Sequence, residues 1–381
     1  MTTTNSRRGA FALMVAHCAG MVDLVALPVW IGTLVSQYRF DPQQAGALAT
    51  LFLLGAVASS LFFAARFNRS RGRSAAVAGF GIAALAFLAV AQTASYPIMA
   101  ACHAVAGIAV GCSLTFTHGT IGRSHAPHHL FALVGMALGV FAIAFLAATP
   151  QLIARTSGPT LFYVFAGVML AGALVAAFAF PEPDEAPAAA ARSSGVFSAP
   201  VWFGIAGISC MALVQAMMAS FLERVGSDRG FGFEAVTGVL IALGFVNLFP
   251  APLAAFLEKR WSANKVVLAG PVIQAALVLT ITQAQTFAVY AFASSVFIAV
   301  MIFTHTFAFG LVARLDPTGR ALAGTPAMLM TGAAIGPILG GTLVKGAGYE
   351  SLGYAALVVA SAAVICFSQA RCQSRTQAAA A

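Results

Sequence analysis

The sequence predicts an all-α membrane protein of 12 transmembrane helices in two pseudo-symmetric six-helix bundles. Composition, the spacing of the apolar runs and a repeat of the first half in the second carry that prediction. Of the 381 residues, 60% are hydrophobic and 8% charged, whereas a soluble domain is about a quarter charged. A bilayer core of about 30 Å needs about 20 apolar residues of helix. Cut at Pro, Gly and charge clusters, the chain holds 12 such runs, near 10–35, 43–65, 74–93, 97–122, 130–153, 159–180, 200–223, 234–256, 264–284, 287–312, 321–345 and 351–371. The first has the basic flank of a signal peptide, but its apolar stretch is too long and no small-residue cleavage site follows, so it reads as a retained span.

The net charge of +9 would suggest nucleic acid in a soluble protein. Here the basic residues sort by side instead. With the N-terminus inside, fifteen of the 20 Lys and Arg fall in inner segments, among them Arg66, Arg69, Arg71, Arg73 and Lys265. That bias places both termini in the cytoplasm and makes the surplus an insertion signal. The six cysteines, Cys18, Cys102, Cys112, Cys210, Cys366 and Cys372, form no CxxC pair and read as reduced, small packing residues.

Between spans 6 and 7 the stretch PEPDEAPAAAARSSG is Pro- and Ala-rich, the composition of a flexible linker. It divides the chain into a bundle at 1–180, a cytoplasmic linker at 181–199 and a bundle at 200–381. The halves repeat. An offset of 187 residues puts Phe116-Thr117-His118 on Phe303-Thr304-His305 and Pro150 on Pro337, and an offset of 192 puts Asp23 opposite Gln215. Weak internal symmetry of this kind marks transporters built from duplicated bundles.

At nearly full length the chain resembles the major facilitator superfamily. The carrying features are the six-plus-six spans, the central linker and the basic loop after span 2. There NRSRGR keeps Arg69, Gly72 and Arg73 of the family's gating motif, with Asn68 where an acid is expected. The family's Gly-x-x-x-Gly-Pro-x-x-Gly-Gly run stands as Gly332, Gly336, Pro337, Gly340 and Gly341, in span 11 rather than span 5. A basic residue of span 4 corresponds to His103, followed by Gly107 and Gly111; a histidine there can lose its charge near neutral pH. The resemblance implies that spans 1, 4, 7 and 10 line a central cavity, that these motifs gate it, and that the chain lies in the bacterial inner membrane as a monomer.

The polar inventory fits that cavity. Span 1 carries His17 and Asp23, span 4 Thr115 and His118, span 7 Gln215, and span 10 Thr304 and His305, whereas spans 3, 6, 9 and 12 carry almost none. Asp23 and Gln215 lie about 20 Å from the inner ends of their helices, and His17, His118 and His305 within about 10 Å. A carboxylate at the depth of Asp23 costs at least about 2.5 kcal/mol to insert charged, so it must be wet, paired or protonated, which is the physics of proton coupling. Asp23 and His103 are therefore the proton-coupling candidates. His17, Asp23, Thr115, His118, Gln215, Thr304 and His305 are the candidates for the substrate cavity. A packing role competes for each, and for the two histidines of the repeat so does simple inheritance from the duplication. Glu223 and Arg224 close span 7 at the outer interface.

No Walker-type loop, catalytic metal constellation or signalling module is present, which argues against an ATPase, an enzyme and a receptor. A metal ion held by His17, His118 and His305 is the sharper alternative to solute binding, but no local spacing supports it. The expected function is secondary active transport of a small organic solute, coupled to protons, with no cofactor, metal or nucleic-acid partner. Import of an organic acid and export of an amphipathic drug or metabolite both stay open.

Overall fold

The computed structural model describes residues 3–4, 6–64, 66–67, 71–184, 197–258, 260–316, 321 and 325–380. Most of the linker and Arg69 lie outside the described residues. In hydrocarbon every backbone N–H and C=O must be satisfied within the segment, which leaves the helix as the only local solution for these runs. Among the described residues there is accordingly no strand, and 12 helical spans are long and apolar enough to cross a membrane. The helices are α1 Arg7–Gly20, α2 Val22–Ser36, α3 Pro42–Ala64, α4 Gly72–Ala91, α5 Tyr96–Gly122, α6 Pro127–Arg155, α7 Pro159–Ala179, α8 Ala199–Asp228, α9 Phe233–Val246, α10 Pro250–Leu257, α11 Ala263–Gln283, α12 Phe287–Leu315, α13 Thr325–Ala347 and α14 Glu350–Ala380.

Spans 1 and 8 are each two helices, which the apolar pattern does not reveal. In span 1, Met21 separates α1 from α2 with φ −112° and ψ 16°, and its N–H closes α1 on the His17 carbonyl. Gly20 before the break is a poor helix former, and Asp23 just after it suits the first turn of a new helix. In span 8, α9 ends at Val246 and α10 starts at Pro250. Pro250 has no N–H to return to Val246, and its ring crowds that carbonyl.

Contacts divide the chain into two compact units, residues 1–40 with 47–191 and residues 41–46 with 192–381. In the first unit α4 packs on α5 and α7. The backbone of α5 comes so close to α3 that a Cβ on Gly107 would stand 2.0 Å from the Phe52 carbonyl oxygen, and one on Gly111 2.3 Å from that of Ala56. Arg73 donates from Nε and an Nη to the Phe180 carbonyl at the end of α7, at 3.3 and 3.0 Å. Asp184, just beyond α7, accepts from the Thr4 hydroxyl and from the His125 amide. The described start of the linker is thus tied to the first unit.

In the second unit α8 is central and packs on α13, α14 and α12. Gly332, Gly336 and Gly340 recur every four residues on the α13 face that meets α8. Span 9 is less apolar inside than its composition promises: Gln274 is buried and donates to the Met211 carbonyl at 3.2 Å. The start of α3 belongs to this unit and carries a reciprocal cap. The Asp41 carboxylate accepts from the Gln44 amide at 2.9 Å, the Gln44 side chain accepts from the Asp41 amide at 3.3 Å, and Pro42 takes the first helical position. Lys345 of α13 adds an ion pair to Asp41 at 2.9 Å. Burial draws the Asp41 carboxyl upward, but the Gln44 amide, Lys345 and the Gln43 amide together outweigh it and hold the group below the usual carboxylate range.

Candidate functional site

Span 1 and span 4 run antiparallel in the first unit, and three contacts fix their register. The His17 Nδ1 lies 3.0 Å from the His118 Nε2. A Cβ on Gly20 would stand 2.7 Å from the Leu114 side chain. Trp30 stacks on His103, ring centroids 5.4 Å apart and planes 26° apart. Each step up one span is matched by a step down the other. Asp23 falls between the contacts, level with Gly111 and Cys112, about 9 Å along the axis from His17 and about 10 Å from Trp30.

The His17–His118 pair joins two residues that the sequence could only assign to separate helices. Its chemistry follows from counting protons. An N–H···N bond needs one bare nitrogen, so two neutral rings satisfy it, with the remaining N–H on the far side of the acceptor ring. A third proton makes the donor ring an imidazolium and leaves the bond intact. A fourth would place protons on both facing nitrogens and break it. The pair is thus a one-proton store whose geometry changes only on double protonation. Phe131 of α6 closes one edge of the His118 ring, at a centroid distance of 5.8 Å.

Asp23 is 1% exposed, and among the described residues neither carboxyl oxygen has a hydrogen-bond partner. The amides of Asp23 itself and of Leu24 face it from the first turn of α2, but without hydrogen-bond geometry. A buried polar group left unpaired costs about 1–3 kcal/mol, more if charged. A proton or a hydrogen-bond donor would relieve that cost at the helix break.

His103 has a different setting. It is fully buried, donates from Nδ1 to the Met99 carbonyl at 2.6 Å, and leaves Nε2 without a partner among the described residues. Trp30, Phe87 and Phe162 enclose its ring. Thr115 spends its hydroxyl on the Gly111 carbonyl of its own helix, at 2.7 Å. Of the first-unit cavity candidates, Asp23 and the His pair therefore hold the free chemistry.

Gln215, Thr304 and His305 lie in the second unit. Gln215 has a buried carbonyl oxygen without a partner. His305 leaves Nδ1 unpaired and rests against Phe309 of its own helix, at 4.9 Å between centroids. Thr304 packs against Gly270 of α11, where a Cβ would meet its hydroxyl at 2.3 Å. The repeat has diverged: His118 has an imidazole partner and its counterpart His305 has none among the described residues. By the 192 offset the place of His17 is taken by Ser209, whose hydroxyl donates to the Met328 carbonyl at 2.8 Å.

Span 7 runs further than the sequence reading has it. The charges at 223–229 look like the end of span 7, yet α8 runs on to Asp228. Glu223 is half-buried in it, one oxygen taking the Ser227 hydroxyl at 2.6 Å and the other buried without a partner. The signal was the apolar pair Val225-Gly226 beyond the charges. Arg224 pairs with Asp228 one turn on, and Asp228 also accepts from the Tyr349 hydroxyl.

Among the gating candidates, Gly332, Gly336 and Gly340 let α13 lie on α8. Gly341 lies against the Pro42 carbonyl and Gly46 against that of Pro337, both within the second unit. Gly72, at the start of α4, has its nearest neighbour at 3.5 Å from a built Cβ, an ordinary contact, so a side chain would fit there. Arg73 holds α7 as described.

No curated protein sequence matches this one. Among solved structures of like fold are the nucleoside transporter NupG as its D323A mutant, with a TM-score of 0.74 at 14% identity over 95% of this chain and 99% of that one. The D-xylose–proton symporter gives 0.75 at 13% identity over 95% and 96%. A bacterial homologue of the human lysosomal transporter Spinster, in its inward-facing and occupied conformation, gives 0.68 at 14% over 95% and 92%. A family profile matches residues 12–318 and is described as Major Facilitator Superfamily. This multi-pass membrane protein therefore belongs to the major facilitator superfamily of transporters.

Proposed function

We propose that this chain is a secondary active transporter that moves a small organic solute by alternating access and couples that movement to protons through Asp23. The observation that carries the reading is the Asp23 carboxyl, buried at the break between α1 and α2 with both oxygens unpaired. A group so placed gains a large stabilisation from one proton or one donor, and any conformation that wets or pairs it differently changes its affinity for the proton. The His17–His118 pair stands one step along the same span and serves as relay or solute contact. His103, boxed by aromatics, acts as a fixed element of the same face. In the second unit Gln215, Thr304 and His305 are the candidates for solute contact, and the α13 glycines together with Arg69, Gly72 and Arg73 are the candidates for permitting the helix movements. The solute is of modest charge, since the described spans offer single acids and neutral hydrogen-bonding groups at this depth. The NupG neighbour is named for nucleosides and another for D-xylose and a proton, which agrees with such a solute.

The test is transport in liposomes loaded with a pH-sensitive dye. Candidate solutes are first ranked by thermal shift at two pH values. A solute that binds is then imposed as a gradient, and luminal pH is followed. Wild-type protein is expected to move protons with solute, whereas Asp23→Asn binds the solute without moving protons. Equal proton movement by the two proteins would overturn the assignment.

A further inference from the structure

The break in span 8 has a second consequence, on the flank of the second unit. Where α9 stops at Val246 and α10 starts at Pro250, a cavity of about 760 Å³ lies between the break and the helices α11 and α12. That volume lies within the range of ligand sites, about 300–1,000 Å³. The first half has no equivalent gap in sequence terms, since its span 2 is the unbroken helix α3.

The walls are apolar over most of their length, from Ile273, Val296 and Val300 to Phe303, with Thr304 beside Phe303. Phe249, Leu253 and Ile273 line it while 68%, 49% and 49% exposed, so its long side is open in the plane where the spans meet hydrocarbon. The mouth is different. At the turn between α10 and α11 it carries Arg260, Trp261, Ser262 and Lys265. Among the described residues neither Arg260 nor Lys265 makes a salt bridge or side-chain hydrogen bond, and Glu258 beside them is unpaired too. The Arg260 guanidinium lies over the Phe256 ring at 4.9 Å, and Trp261 packs edge-on to Phe303 at 5.8 Å, which holds both at the rim.

We infer that this groove is a binding site for an anionic phospholipid of the surrounding bilayer, its phosphate between Arg260 and Lys265 and an acyl chain along the α9–α10 break. The arrangement joins what the two parts of such a molecule need. Two uncompensated cations with an indole sit at the headgroup level, and directly beneath them an apolar channel opens sideways to lipid. A soluble anion would use the cations but not the channel. A neutral hydrocarbon would use the channel but not the cations. Val296, Val300, Phe303 and Thr304 of the lining belong to α12, the helix that also carries His305, so an occupied groove braces that helix.

The site is tested by native mass spectrometry of the full chain with phosphatidylglycerol or phosphatidylcholine of equal chain length. Wild-type protein is expected to retain phosphatidylglycerol at least about fivefold better, which corresponds to a preference of at least about 1 kcal/mol. Arg260→Gln with Lys265→Gln should abolish the preference. Ala269→Phe, which fills the channel and keeps both cations, should lower retention of phosphatidylglycerol severalfold; both variants are scored on protein that elutes as a single species. Equal retention of the two lipids by wild type, or wild-type retention in either variant, would overturn the inference. So would displacement by inorganic phosphate as effective as displacement by unlabelled phosphatidylglycerol, which would reduce the site to its cations.

Discussion

Gly332→Ala tests how closely α13 must approach α8. A Cβ at this position would lie 1.9 Å from the Ser209 carbonyl oxygen, 2.8 Å from its carbon and 3.0 Å from the Leu213 amide nitrogen. All three are backbone atoms of α8, so no rotamer change relieves the clash. Bringing the first contact to an ordinary 3.4 Å needs the helices to part by about 1.5 Å. At that separation the 2.8 Å bond from the Ser209 hydroxyl to the Met328 carbonyl is lost, at about 0.5–1.5 kcal/mol, and overpacking adds about 1–3 kcal/mol. Gly336 sits on the same face with the Met217 amide 2.6 Å from its would-be Cβ, so its packing opens as well. The control is Gly238→Ala in α9, where a Cβ meets nothing within 4 Å; there alanine should stabilise by up to about 1 kcal/mol through helix propensity alone. Apparent melting temperatures in one detergent should therefore order as Gly238→Ala, wild type, Gly332→Ala, with the last several degrees below wild type. A Gly332→Ala protein melting at or above wild type would refute the close-approach reasoning.

Three further outcomes follow from the geometry. His17→Ala and His118→Ala should be non-additive, with a coupling of about 1 kcal/mol in a double-mutant cycle of thermal stability; strict additivity would mean that the imidazoles do not bond. Arg73→Lys should fall between wild type and Arg73→Ala in stability, because lysine keeps the charge at the end of α7 but cannot fork two N–H groups onto the Phe180 carbonyl. The Asp41 carboxyl is held low in the folded protein, so its contribution is present above the ordinary carboxylate range and lost as pH falls through its lowered value. Asp41→Asn should thus lower the melting temperature at pH 7, the stability lost being no more than about 1 kcal/mol for a solvent-screened pair, and the difference should vanish in acid.

The spans were legible because their cause is local. A run must be predominantly apolar and every amide internally bonded, whatever its neighbours in space, so a window of about 20 residues carries the whole signal. The duplication was legible for a similar reason, since Phe116-Thr117-His118 and Phe303-Thr304-His305 keep one register with Pro150 and Pro337. The breaks were not. Gly20-Met21 and Phe249-Pro250 read as ordinary residues inside apolar runs, and only the backbone path shows where a span is cut. Charge at 223–229 misled in the other direction, because a membrane helix extends past its charges when they pair along its own side, as Arg224 and Asp228 do.

What the sequence determined by itself is the membrane class, the number of spans and the inventory of polar groups placed in them, all of them properties of short windows. Only the tertiary structure decided which of those groups meet. It set His17 against His118, boxed His103 with Trp30, left Asp23 without a partner and turned Gly107 and Gly332 into helix contacts. A contact between spans depends on the rotation and sliding of two helices against each other, and a shift of one residue turns a side chain by 100°. Composition is blind to that angle, and the chemistry of this site depends on it.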